Sequence, residues 1–353
     1  MLSTQPAVHG AFDFAELESL GLDPDQVIDF SVNSNPHGPP PGVHEAIASV
    51  PLDRYPDREC IALRRVLAAR LGIEADQIVV GNGSAELLQL IAQTFIEPND
   101  RVVVPSVTFS EYARVSALAG ARIRELGLPG PDVELSEDRF AELASAIEDA
   151  RVVFLCNPNN PDGRHLPVEW ICRHWVSACP DTLFVLDEAY ANFLREPETA
   201  IGKSLPNLLV LRSLTKDYAL AGLRLGYLVG NELLIEAVAR ARQAWNVNAL
   251  AQAAGVFVLA QDDWLRRTMM QLQSDRGVLL EQLRELGFEP LPSAVHYFLM
   301  PVGNAKDFRG RLLNHGIQVR DASSFGLPQC VRISTRGAGD NARLCEAIAS
   351  IES

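Results

Sequence analysis

Lys216 stands a few residues beyond an apolar run, in Leu208-Leu-Val-Leu-Arg-Ser-Leu-Thr-Lys216. A lysine in mostly apolar company has its pKa lowered by desolvation, and its neutral amine can then attack a carbonyl to form a Schiff base. Arg224 follows eight residues later, in Ala221-Gly-Leu-Arg-Leu-Gly226, where its guanidinium could grip a phosphate in two parallel hydrogen bonds. An exposed lysine and a structural arginine are the alternative reading of this pair. Asp187 ends a second apolar run, Leu183-Phe-Val-Leu-Asp187, so its carboxylate is either a helix cap or the partner of a buried cation. Tyr190 comes three residues after it. Asn160 sits in Asn157-Pro-Asn-Asn-Pro-Asp-Gly163, and Phe109 closes Pro105-Ser-Val-Thr-Phe109. Gly81-Asn-Gly-Ser-Ala85 joins a run of valines to a helical stretch. Glycine lets the backbone approach an anion there, and a helix N-terminus offers free N–H groups and a positive dipole end. A tight turn with Ser84 as N-cap is the alternative. No Gly-Lys-Ser/Thr follows, and Glu86 occupies the third glycine position of a dinucleotide fingerprint.

Taken singly, each residue has a core or turn role. Taken together they describe a phosphate cradle, a Schiff-base lysine, a carboxylate for a pyridinium nitrogen, hydrogen bonds to a ring oxygen from Tyr190 and Asn160, and an aromatic lid from Phe109. Pyridoxal 5′-phosphate is the cofactor with those parts, and the carboxylate would make its ring an electron sink.

Such a set must be positioned by strands. Residues 77–80, 101–104, 152–156, 183–186 and 208–211 read as short buried strands. Amphipathic stretches at 85–96 and 140–149 lie between them, and this alternation implies a largely parallel sheet covered on both faces. Ligands bind outside the carboxyl ends of such strands, and all five runs end in the polar or glycine-rich segments just described. Residues 231–260 read as continuously helical. Strand-like patterns return at 295–300, 317–320 and 330–333, before a helix at 341–350, which suggests a smaller α+β domain. Residues 31–42, dense in Asn, Pro and Gly, are an extended, turn-rich connection.

The motifs Gly81-Asn-Gly-Ser84, Asn157-Pro-Asn-Asn-Pro-Asp-Gly163, Asp187-Glu-Ala-Tyr190, Ser213-Leu-Thr-Lys216 and Arg224 resemble, in this order and spacing, the aspartate-aminotransferase fold family of class I/II pyridoxal-phosphate enzymes. The resemblance covers nearly the whole chain. It implies an α/β fold with a mostly parallel central sheet in a large domain (41–245), a small C-terminal domain (246–353) and an N-terminal arm and linker (1–40). It also implies that Lys216 carries the cofactor, Asp187 holds the ring nitrogen, and Ser84, Ala85, Ser213 and Arg224 bind the phosphate. Tyr55 matches a tyrosine that reaches the phosphate from the other subunit, so a homodimer with shared sites is expected. Within the family the chain looks closer to L-threonine O-3-phosphate decarboxylase of cobalamin biosynthesis than to histidinol-phosphate aminotransferase. The signals are His9-Gly10, Asn33-Ser-Asn-Pro36 and Trp245-Asn-Val-Asn-Ala-Leu-Ala251. That resemblance assigns substrate contacts to His9, Gly10, Asn33, Asn160, Arg320 and Arg332, and decarboxylation to aminopropanol phosphate as the reaction; the aminotransferase is the alternative. Asp162, where the family carries Thr, is expected to face solvent in a turn, and His37 to be a loop histidine.

With 31 Lys and Arg against 45 Asp and Glu, the net charge is −14, which excludes the basic footprint of a nucleic-acid binder. Two phosphates can be held by such a chain only where positive charge is focused locally, and Arg212, Arg224, Arg320, Arg332 and Arg336 sit at or near expected strand ends. Six scattered cysteines without a C-x-x-C pair suggest reduced thiols and no metal site. No basic-then-apolar leader and no apolar run of membrane length occurs, so no membrane partner and a cytoplasmic location are expected.

Overall fold

The computed structural model describes residues 10–352. Twelve strands occur among them, in chain order β1 (Ile28–Asp29), β2 (Ile78–Gly81), β3 (Arg101–Pro105), β4 (Arg122–Leu126), β5 (Val152–Cys156), β6 (Leu183–Asp187), β7 (Leu208–Ser213), β8 (Gly226–Gly230), β9 (Tyr297–Pro301), β10 (Ile317–Gln318), β11 (Arg320–Asp321) and β12 (Cys330–Ser334). Seven of them form one sheet in the order β2-β8-β7-β6-β5-β3-β4. Only β8 runs against its neighbours; β3 through β7 pair in parallel. Every residue of β5 and β6 is buried, as a strand covered on both faces requires. Because β8 opposes both β2 and β7, the carboxyl ends of β2, β3, β5, β6 and β7 share one edge. At that edge Cys156 is level with Asp187, and Gly226 lies between Ser213 and Gly81.

The remaining strands are two small sheets, the antiparallel β11-β12-β9 and the parallel pair β1-β10. Phe30 joins the core of this region with Phe298, Phe308 and Val331, and the Ser334 amide donates to the Phe30 carbonyl. The chain's N-terminal segment is thereby stitched to its C-terminal part. A 24-residue helix, Asp262–Glu285, links the two regions. Its Leu265, Met269 and Leu272 belong to the core of the large sheet, and its Leu279 and Leu283 to the other. No helix of the described residues is long and apolar enough to cross a membrane.

Several expected elements differ. The single helix over 231–260 is two, Glu232–Ala241 and Ala249–Val258. Trp245 between them has a left-handed backbone, φ 59°, and Asn248 caps the second helix by accepting from the Ala251 amide. The stretch 317–320 is split between β10 and β11, which lie in different sheets. The helix over 140–149 is Glu137–Glu142 followed by a 3-10 turn, Leu143–Ala146. The 24-residue linking helix was not anticipated.

Candidate active site

A cavity of about 290 Å³ opens at the shared strand edge. Lys216 lies on its floor, in the one-turn helix Leu214–Asp217 that follows β7, and its carbonyl accepts from the Asn35 amide at 2.8 Å. Burial lowers its amine to about 8, and the Arg332 and Arg224 charges push the same way against the pull of Asp187. Half of such amines are neutral near pH 8, so the group is a ready nucleophile and base.

Asp187 ends β6 almost wholly buried. Its carboxylate accepts from the Tyr112 hydroxyl at 2.7 Å and from the Ala189 amide at 3.0 Å. Burial still raises it to about 6. Sequence reasoning missed Tyr112. It lies one helical turn from Phe109, which meets it edge-on with ring centroids 5.5 Å apart and itself lines the cavity; that spacing was the available signal. Tyr190 lines the opposite wall, its phenol pushed up by burial and drawn down by Arg332.

The β2 end builds the cradle. Gly83 stands before the helix Ser84–Phe95 with φ 81° and no capping side chain, so the backbone N–H groups of Ser84 and Ala85 face the cavity uncapped. A Cβ on Gly83 would come within 2.7 Å of the Arg224 guanidinium, and one on Gly226 within 2.7 Å of the Ser84 nitrogen. Gly83 and Gly226 therefore let Arg224 and the helix terminus close on one point. Ser213 is buried behind this cradle, its hydroxyl shared with Thr215 at 2.7 Å; Thr215 is the one that lines the cavity.

Arg332 and Arg320 come from neighbouring strands, level with each other across β12 and β11. Arg332 bonds to the Asn160 carbonyl oxygen and donates to the Ser31 carbonyl at 2.5 Å. Asn160 is thus tied to Arg332 at the cavity wall. Arg320 donates to the Ser324 hydroxyl at 2.6 Å and lies over the Phe325 ring, with burial pulling it down to about 10. Gly10 reaches the same mouth: a Cβ there would sit 3.3 Å from Arg332 and collide with the Ser31 carbonyl. Asn33 is buried in the lining, its amide beside the Tyr190 phenol and otherwise without a partner. A buried amide with open hydrogen-bonding capacity is what a polar ligand would complete.

Three residues singled out in the sequence lie outside this cavity: Tyr55, which is expected to serve the other subunit's site, and Arg212 and Arg336, for which ion pairing is the alternative reading. Tyr55 is 79% exposed, stacked on Trp245 with centroids 4.4 Å apart, and outside this cavity. Arg212 pairs with the buried Glu188 at 3.0 Å, and Arg336 with Asp340 at 2.7 Å. Positive charge is focused by Lys216, Arg224, Arg320 and Arg332 alone of the expected set. Asp162 does not face solvent. It is buried, bonded to the Asn159 amide at 2.8 Å and turned away from the cavity. His37 is an exposed loop residue; His9 lies outside the described residues. No group of three or more His, Cys, Asp or Glu among the described residues is placed to hold a metal.

The arrangement fits pyridoxal 5′-phosphate. The uncapped helix terminus and Arg224 suit the phosphate, Asp187 the ring nitrogen, Tyr190 the ring oxygen, and Phe109 the ring face, with Lys216 within the same cavity.

Comparison with known proteins separates the two branches. Histidinol-phosphate aminotransferase 1 of Thiobacillus denitrificans is 36% identical over 338 residues, covering 94% of this chain and 87% of its own. The histidinol-phosphate aminotransferase of Sinorhizobium meliloti, solved with pyridoxal-5′-phosphate, superposes with a TM-score of 0.86 at 26% identity, covering 97% of this chain and 95% of that one. L-threonine-O-3-phosphate decarboxylase of Porphyromonas gingivalis superposes with a TM-score of 0.79 at 28% identity, covering 92% and 98%. The expected decarboxylation of L-threonine O-3-phosphate, and with it a place in cobalamin biosynthesis, is overturned by the similarity to histidinol-phosphate aminotransferases. The 245–251 run that suggested it has structural work instead: Trp245 stacks on Tyr55, Asn246 donates to Glu86 at 2.8 Å, and Asn248 caps a helix. The model of aminotransferase classes I and II matches residues 25–351, and this chain belongs to that family.

Proposed function

We propose that the chain is a pyridoxal 5′-phosphate-dependent aminotransferase whose amino donor is histidinol phosphate or a closely similar phosphorylated amine. The observation that carries the choice of donor is the 36% identity with a named histidinol-phosphate aminotransferase across 94% of the chain. The site supports it. Arg320 and Arg332 place two guanidinium groups at the mouth of the cavity, opposite the Arg224 cradle, so a second phosphate can be held apart from the cofactor's own. The same pair can take the carboxylate of an oxo-acid acceptor in the other half of the reaction.

Held by Lys216, Asp187 and the Arg224 cradle, pyridoxal 5′-phosphate would supply the amino-group carrier and the electron sink for the substrate Cα. Lys216 moves the proton at that carbon, which its lowered basicity suits near neutral pH. Asp187 holds a proton at the ring nitrogen, and Tyr112 fixes the carboxylate for that task.

We further propose a homodimer with shared sites. Tyr55, Trp245 and Leu52 are 79%, 47% and 84% exposed, and together they offer an aromatic and apolar surface through which Tyr55 would reach a neighbour's phosphate cradle. The test of the reaction is a single turnover. Histidinol phosphate added to the cofactor-loaded protein without an oxo acid should bleach the visible cofactor absorbance, and an oxo acid should restore it. An absorbance unmoved by histidinol phosphate overturns the assignment.

A further inference from the structure

A second cavity, about 430 Å³, lies between the linking helix Asp262–Glu285, the segment 193–195 and the approach to β9. It is separate from the catalytic cavity, with no lining residue in common, although the two adjoin. Phe193 lines the second cavity and touches Tyr190, which lines the first.

Its charged groups are all cationic, and its one histidine is unsatisfied. Arg276 donates to the Ser293 carbonyl at 2.7 Å, but its Nε is buried without a partner. Among the described residues no carboxylate pairs with Arg276 or with the exposed Arg195. His296 is 3% exposed, stacked on Phe193 with centroids 3.9 Å apart, and neither ring nitrogen has a hydrogen-bond partner. Burial and the neighbouring Arg332 and Arg276 keep that ring neutral, so it retains one N–H to donate. A partly buried guanidinium without a counter-charge is costly to maintain, and it is unusual in a chain of net charge −14. The remaining walls combine apolar Met269, Met270 and Leu272 with the neutral polar Gln273 and Ser274.

We propose that this cavity binds a small organic anion, its carboxylate or phosphate held between Arg276, Arg195 and His296 and its carbon skeleton against the apolar wall. Each of the three groups has an N–H to donate, so an anionic ligand rich in acceptors can take a hydrogen bond from all of them.

The test is a calorimetric titration of the cofactor-loaded protein with succinate and, separately, with inorganic phosphate. Arg320→Gln serves as the background for both, because it weakens anion binding in the catalytic cavity. Binding of either anion that persists in Arg320→Gln and falls at least tenfold when Arg276→Gln or Arg195→Gln is added is the expected result. Arg195 is exposed, so its variant carries the test even where loss of Arg276 unfolds the protein. Absence of binding in the Arg320→Gln background, or affinities unchanged by Arg195→Gln and Arg276→Gln, overturns the proposal.

Discussion

Tyr112→Phe isolates one hydrogen bond in the catalytic cavity. The hydroxyl donates to Asp187 at 2.7 Å, and the ring is held by packing that phenylalanine keeps: Phe154 stacks on it with centroids 5.5 Å apart and planes 7° from parallel, and Phe109 meets its edge. Fold and ring position should survive. The carboxylate should not keep its ionisation. Burial raises Asp187 from 3.8 to about 6, while the Tyr112 and Ala189 hydrogen bonds hold it down. The residual displacement disfavours the charged form by about 3 kcal/mol at 1.36 kcal/mol per pKa unit. A hydrogen bond to a charged group contributes about 1.5–3 kcal/mol, so its loss moves the carboxyl up by a further one to two units, to between about 7 and 8. At pH 7 the wild-type group is then roughly nine-tenths ionised, and the variant's half ionised or less. Only the ionised carboxylate can hold a protonated ring nitrogen. Cofactor affinity of the apo protein, measured by equilibrium titration against pH, should therefore fall on the acid side with a midpoint near 6 in the wild type and one to two units higher in Tyr112→Phe. Coincident acid limbs would refute the reasoning.

Lys216→Met should abolish covalent retention of the cofactor. It should also stabilise the apo protein at pH 7 by about 3 kcal/mol, since the lysine is charged in both states there and its folded pKa lies about 2.5 units below the unfolded value. That advantage shrinks between pH 8 and 10.5, where the unfolded chain binds the extra proton and the wild type gains stability; urea unfolding at pH 7 and 10.5 checks both. Gly83→Ala sets a Cβ 2.7 Å from the Arg224 guanidinium at a φ of 81°, so cofactor affinity should fall at least tenfold by equilibrium titration with the fold retained. Arg320→Ala should weaken binding of the phosphorylated amine about tenfold or more and leave cofactor affinity unchanged, a split that substrate and cofactor titrations read separately; equal losses would show that Arg320 serves the cofactor.

The strand ends were legible because each apolar run is short, wholly buried and followed at once by residues that only chemistry or a turn explains. Asp187, Lys216 and the Gly81–Ala85 cradle all follow that rule, and the register across Gly226 brings the last two together. What the one-dimensional pattern could not show is which polar group of a motif faces inward. Of three asparagines in one motif, two are consumed structurally: Asn157 pairs with both backbone groups of Leu166 at 2.8 Å, and Asn159 ties the loop to the segment after β3, donating to the Val107 carbonyl and accepting from the Thr108 hydroxyl. Asn160 alone lines the catalytic cavity. Tyr112 escaped notice for the complementary reason: it looks like a core aromatic on a buried helix face, and its single polar atom is the part that matters. The 231–260 stretch was misread because apolar periodicity persists on both sides of a break that opens at the extended Arg242 and passes through the left-handed Trp245.

The branch of the family was misread for a different physical cause. Whether the bond to hydrogen or the bond to a carboxylate breaks depends on which one stands perpendicular to the cofactor ring, and that depends on where the substrate's anionic groups are held; Arg320 and Arg332 are the arginines that line the cavity beside Arg224. An arginine pair can hold anionic groups for either reaction, and Lys216, Asp187 and Tyr190 suit both, because the cofactor chemistry they would support is common to the two. The motifs that carry the cofactor are therefore silent on the choice. The 245–251 run looked discriminating because it is distinctive in sequence, yet its side chains hold a turn, a surface stack and a helix cap. A residue that selects the reaction must touch the substrate's departing group. The cavity mouth, where Gly10 presses against Ser31 and Arg332 and Arg320 is held by Ser324 and Phe325, is where such residues stand.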